Sequence, residues 1–161
     1  MDFVAALGAV IVGVSILLFV AGRLGLLKGK APRLGVHDGR LEPPRRTPNS
    51  VSSQAALYPD APQKDYAAIE ALPVRGDGAE SVARLHSIIA GLPRARIVEA
   101  RPDYLYAQFT SAALQFVDDT EFWFSPAENK IHVRSASRLG RRDFQVNRKR
   151  VEMIRAAYLQ S

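Results

Sequence analysis

Three carboxylates, an imidazole and two guanidinium groups stand close together in the second half of this chain: Asp118, Asp119, Glu121, His132, Arg134 and Arg138. Paired carboxylates beside an imidazole can divide general acid and base work between them, and Asp with Glu can hold a divalent cation through oxygen. Read this way, Asp118, Asp119, Glu121 and His132 are candidate catalytic residues of a small hydrolase-like or divalent-metal-dependent enzyme. A glutamate opposite an arginine on neighbouring strands is also an ordinary salt bridge, and that reading needs no chemistry.

A second group overlaps the first. Arg134, Ser135, Ser137, Arg138, Arg141 and Arg142 place hydroxyls and guanidinium groups just ahead of a helix start, a setting suited to phosphate or carboxylate because the N-terminal end of a helix is electropositive. Neither a phosphate-loop pattern nor Gly-x-Ser-x-Gly occurs, so nucleotide hydrolysis and a serine hydrolase of that kind have no support. No cofactor is expected. A protein-built zinc site is not expected either, since His37, His86 and His132 lack ligand spacing and the chain has no cysteine.

The net charge of +6 is concentrated: between Arg134 and Arg155 eight basic residues face two acidic ones, which accounts for the whole excess. Such a cluster favours an anionic partner, or it is the solvated face of a helix beside a membrane. Nucleic acid is the weaker partner. Trp123, Tyr104 and Tyr106 could stack bases on a sheet face, but Asp119 and Glu121 share that face and repel phosphates.

The elements that must position these groups follow a readable order. Helix capping at Asp77 and Glu80 opens a run in which Val82, Leu85, Ile89 and Leu92 recur at helical intervals, with His86 half-buried beside them and Gly91 and Pro93 ending it. Four strand-like runs come next, at 96–100, 104–110, 116–125 and 130–137, joined by short turns into an antiparallel meander. If Ser125 pairs with Lys130, Phe124 faces Ile131 and Phe122 faces Val133 on the core side, while Trp123 meets His132, Glu121 meets Arg134 and Asp119 meets Ala136 on the other. A last helix from about Phe144 to Leu159, capped by Asp143, carries Phe144, Val151, Ile154 and Tyr158 on one stripe. Asn147 lies on that stripe too and must find the backbone or a serine of the last strand. The fold expected over 64–161 is therefore α+β: a two-layer domain of about four antiparallel strands flanked by an N-terminal and a C-terminal helix.

Ahead of that domain, residues 23–63 contain Pro32, Pro43, Pro44, Pro48, Pro59 and Pro62 and sustain no period, which reads as an extended linker with turns at Asp38-Gly39 and Pro48-Asn49. Residues 3–22 hold no charge, and Ser15 is their one polar side chain. Their length suits a single-pass transmembrane helix, about 30 Å of hydrocarbon. A cleaved signal peptide fits less well, because Asp2 stands where a basic flank belongs. Arg23, Lys28, Lys30 and Arg33 follow the apolar run, and by the positive-inside rule they place the domain in the cytoplasm. Ala5, Ala9 and Gly13 recur every fourth residue, a weak basis for homodimerisation in a segment this rich in small residues.

Several motifs in order carry a resemblance: Leu34-Gly35-Val36, Asp38-Gly39-Arg40-Leu41, 48–54 from Pro48 to Gln54, Asp118-Asp119 with Glu121-Phe122, 134–138 with Gly140, and Asn147-Arg148 with Arg150. From about Leu34 onward the chain resembles the DUF1499 family. The resemblance implies no reaction or ligand, but it implies a small membrane-anchored or envelope-associated domain outside the cytoplasm of the inner membrane, which is the opposite side from the one the flanking charges indicate. It also implies cysteines at the positions of Pro44 and Ser50, and this chain lacks both. The leading reading is a non-enzymatic accessory domain, anchored in the membrane, that recognises an anionic lipid headgroup or an acidic protein.

Overall fold

The computed structural model describes residues 3–161, so Asp2, the charge before the apolar run, lies outside the described residues. Helix α1, Phe3–Arg23, is long and apolar enough to cross a membrane, with a mean hydropathy of 2.8 over its most apolar window and none of that window buried. A core helix of a soluble domain would hide these side chains; here Phe3, Val10, Ile16 and Leu17 are all exposed.

Two glycines bring the end of α1 and the chain after it against the folded domain. Gly22 is buried so close to the loop 111–116 that a Cβ would lie 2.6 Å from the Leu114 carbonyl oxygen. Gly29, with φ of 65°, sits where a Cβ would come within 2.9 Å of Arg138 and Leu139 side-chain carbons. Only glycine permits both approaches.

The meander forms as its pattern dictates. β3 (Ala95–Arg101), β4 (Tyr104–Thr110), β5 (Val117–Ser125) and β6 (Lys130–Ser137) pair antiparallel in sequence. The β5–β6 hairpin joins Ser125 to Lys130, so Phe124 meets Ile131, Phe122 meets Val133 and Glu121 meets Arg134. Two short strands widen the sheet to six: β1 (Ser50–Ser52) and β2 (Leu72–Pro73) take successive stretches of the free edge of β6. Period-two reasoning misses them because runs this short carry no alternation.

Helices cover one face. α3, Gly78–Ala90, begins with the Asp77–Glu80 capping box and lays Val82, Leu85 and Ile89 on the sheet. His86, expected half-buried, is exposed, since the turn between Leu85 and Ile89 carries it off the stripe. α4, Val146–Gln160, buries Val151, Ile154 and Tyr158 together with Asn147. Phe144 was expected on that stripe, but it has a left-handed φ of 50° before the helix starts and is 81% exposed. The core between helices and sheet is Leu105, Phe122, Ile131 and Val133 against these residues, closed at the edge by Val51 and Leu72.

The other face of the sheet is covered too. A short helix α2, Lys64–Ala67, ends the stretch, and before it part of the segment read as a linker is integral to the sheet or packed on it. Leu41 is buried on Tyr104 and Tyr106, with Leu34, Val36 and Trp123 around them. Asp38 and Gly39 form the expected tight turn, both with positive φ, bridging His37 to Arg40. Ser50 Oγ accepts the Arg45 amide at 2.9 Å, which closes the loop between 44 and 50 without a covalent link.

Candidate functional site

Alternation along β5 separates the candidate carboxylates. Asp119 and Glu121 point to the face covered by residues 34–58, whereas Asp118 points to α4, so the set does not converge on one centre. Among the described residues no group of three or more metal-ligating side chains comes together.

On the covered face each carboxylate has its own cation and its own tyrosine. Asp119 receives two hydrogen bonds from Arg138 at 2.8 Å and one from the Tyr106 hydroxyl at 2.6 Å. This fork holds the Arg138 guanidinium above its ordinary pKa, chiefly through the bonds to Asp119. Glu121 accepts from the Tyr104 hydroxyl at 2.8 Å and from the Gly35 amide at 2.7 Å, and Arg134 faces it at 3.5 Å, an ion pair without a hydrogen bond. Both members are fully buried. Burial raises the Glu121 pKa against the pull of Arg134, and burial lowers that of Arg134 against the pull of Glu121, so desolvation opposes ionisation on both sides. Tyr104 and Tyr106 are likewise raised, first by burial and then by their carboxylate partners, and neither ring is free to stack a base.

On the helix face Asp118 pairs with Arg150 at 2.6 Å, and that guanidinium lies over the Phe109 ring. Asn147 is the junction there. Its amide nitrogen reaches Ser137 Oγ, Asp143 and the Asn49 carbonyl, and its oxygen accepts from Ser135 at 2.5 Å and from Arg150 at 2.9 Å. Ser135 and Ser137, candidates for anion binding, therefore bond inside the domain. The start of α4 also has an anion already: Asp143 accepts the Gln145 and Asn147 amides at 3.1 Å.

His132 meets Trp123 as the register predicts, but its ring nitrogens join neither Asp118, Asp119 nor Glu121. Its Nδ1 lies 3.2 Å from Ser53 Oγ and its Nε2 2.9 Å from Glu128, while its ring stacks on Trp123. Serine, histidine and glutamate in a row have the composition of a nucleophilic triad. The geometry instead engages Ser53 in the sheet, where its Oγ accepts the Val133 amide at 2.9 Å and replaces a ladder acceptor as β1 turns away.

Of the anion-binding candidates, this leaves Arg141 and Arg142 exposed and without an ion-pair partner among the described residues. They sit beside Leu139, the residue against which Gly29 packs. A cleft of about 560 Å³ adjoins them, lined by Arg142, Lys149, Tyr66 and Phe144.

The motif residues thus hold the fold on both faces of the sheet: Gly35, Asp119, Glu121, Arg134 and Arg138 on the covered face, Asn147 and Arg150 on the helix face, and Gln54 on the covering segment at Leu41. A family model described as a protein of unknown function (DUF1499) matches residues 40–158. The chain belongs to the DUF1499 family. No curated protein and no solved structure matches it. Within this DUF1499 domain, sequence reasoning paired Glu121 with Arg134 but missed Tyr104 and Tyr106 as carboxylate partners. Their alternation on the neighbouring strand was the available signal. It also missed Ser53 and Gln54, whose partners lie far away in the chain, and Glu128, which meets His132 from the turn four residues before it. Gln54 accepts the Leu41 amide at 2.8 Å and donates to the Gly39 carbonyl, which no periodicity encodes.

Proposed function

We propose that this protein is a membrane-tethered accessory domain that meets acidic lipid headgroups through residues 138–142. α1 acts as an uncleaved anchor, and the cytoplasmic side is favoured by Arg23, Lys28, Lys30 and Arg33 and by a fold that closes without disulfides. One observation carries the reading. Arg134, Arg138 and Arg150 are matched to internal carboxylates, while Arg141 and Arg142 remain unmatched on the segment that touches the chain emerging from α1.

A cation held near an acidic bilayer contributes about 1 kcal/mol, screened within a Debye length. Leu139, itself exposed beside these arginines, adds an apolar contact of the kind that interfacial segments use. The test is hydrogen exchange of the full-length protein in nanodiscs. Amides of 138–142 should exchange several-fold more slowly when phosphatidylglycerol replaces part of the phosphatidylcholine, and Arg141→Ala with Arg142→Ala should erase the difference. Equal exchange in both lipids would sink the proposal.

A further inference from the structure

Arg134 is 2% exposed, yet its Nε and Nη1 have no hydrogen-bond partner, and neither has Oε2 of Glu121 opposite it. Its remaining nitrogen, Nη2, reaches the Pro43 carbonyl at the long distance of 3.5 Å. Unmade hydrogen bonds on a buried ion are costly, so this guanidinium has spare capacity for a polar partner. It also lines a cleft of about 390 Å³ with Arg45, Arg46, Thr47, Glu42 and Gly140. One water molecule takes up about 30 Å³ of liquid, so the space suits something larger.

Charge narrows what that is. Glu121 balances Arg134 from within the domain. The rest of the lining sets Arg45 and Arg46 against Glu42, one positive charge in excess. Arg45 is fixed by its bonds to the Ser137 and Arg138 carbonyls at 3.2 and 3.0 Å, which orient its guanidinium without neutralising it. After burial and the opposing pull of Glu121, Arg45 is the next influence on Arg134 and pushes its pKa down, as a like charge beside it must. An anion between the two would relieve both.

Pro32 and Gly140 also line the cleft, and each lies within three residues of the contact between Gly29 and Leu139. If α1 spans the bilayer, as proposed above, the cleft opens beside the headgroup layer, where singly charged phosphodiesters are abundant. We propose that the cleft between Arg45, Arg46 and Arg134 binds one phosphodiester group. The inference rests on the membrane reading for the identity of the anion, and on its own geometry for the existence of the site.

The experiment needs no bilayer, so it can fail or succeed independently of docking by 138–142. Full-length protein in a non-ionic detergent is titrated with glycerophosphoglycerol, a soluble phosphodiester, and separately with short-chain phosphatidylglycerol, following Tm and phosphorus line width. Saturable binding is expected, weakened about tenfold by Arg46→Ala, an exposed side chain whose loss does not threaten the fold, and changed less than about twofold by Arg84→Ala, an exposed arginine on α3 outside the cleft. A response to the lipid alone, with the same dependence on Arg46, supports the site and names its source as the membrane. An equal response to acetate at matched ionic strength overturns the proposal, as does binding that ignores Arg46 or that weakens as much with Arg84→Ala.

Discussion

Buried Arg134 and Glu121 show at the residue scale why charged side chains in this domain are structural first. Removing one partner leaves the other buried without its counter-charge, so Arg134→Ala is expected to cost about 3–5 kcal/mol. Replacing both, with Glu121→Gln and Arg134→Met, should cost clearly less than the sum of the single changes; denaturant unfolding in mild detergent measures it, and strict additivity would count against the pairing. Asp143 gives a pH signature. Burial works to raise its pKa, but hydrogen bonds from Tyr66 and Asn147 and the amides of Asn147 and Gln145 outweigh it and hold the carboxyl below its ordinary 3.8. The unfolded chain therefore binds this proton first. The stabilisation is complete above about pH 3.8 and is lost as pH falls through the lower folded value. Melting followed from about pH 6 to about pH 2.5 should show a shallower acid loss for Asp143→Asn than for the parent chain. At this scale the sequence made the Glu121–Arg134 pair legible, because strand register follows from a short turn. It could not reveal that the pair is buried, since the covering residues 34–58 have no periodicity that assigns them a face.

Register, capping and helix stripes were legible among the elements because each is a local pattern. The Asp77 capping box and the hairpin pairing of Ser125 with Lys130 stand as the spacing predicted. The start of α4 was not legible: Phe144 and Gln145 both adopt positive φ, and no side-chain pattern announces that two non-glycine residues will do so. Asn147 was read correctly as a polar group in need of partners, and it ties α4 to the edge of the sheet through Ser135, Ser137 and the Asn49 carbonyl. Asn147→Ala should therefore destabilise by about 2–4 kcal/mol, leaving several buried groups unpaired. The loss should be visible as faster hydrogen exchange across β1 and the last residues of β6, while β3 and β4 change little. Uniform loosening of the whole sheet would argue that the junction is not local.

The whole molecule has a direction. β6 carries the chain from the 126–129 turn to Ser137, seven steps of about 3.3 Å each, or roughly 23 Å. The loop 111–116 lies at the same end as Ser137, since Asp118 pairs with Ser137 and Val117 with Thr110. Gly22 and Gly29 touch that end, at Leu114 and at Leu139. The apolar helix was the plainest feature of the sequence, but its seat on the domain was not legible, because glycines that serve close approach look like glycines in a linker. The chain has no native cysteine, so single labels are straightforward. The decisive measurement places a fluorophore at Leu139→Cys or at Ala127→Cys in full-length protein, reconstituted with lipids that carry a quencher at the headgroup. Strong quenching at 139 and little at 127 is the expected result. Equal quenching at the two positions, or stronger quenching at 127, would contradict a domain held with its arginine loop against the membrane.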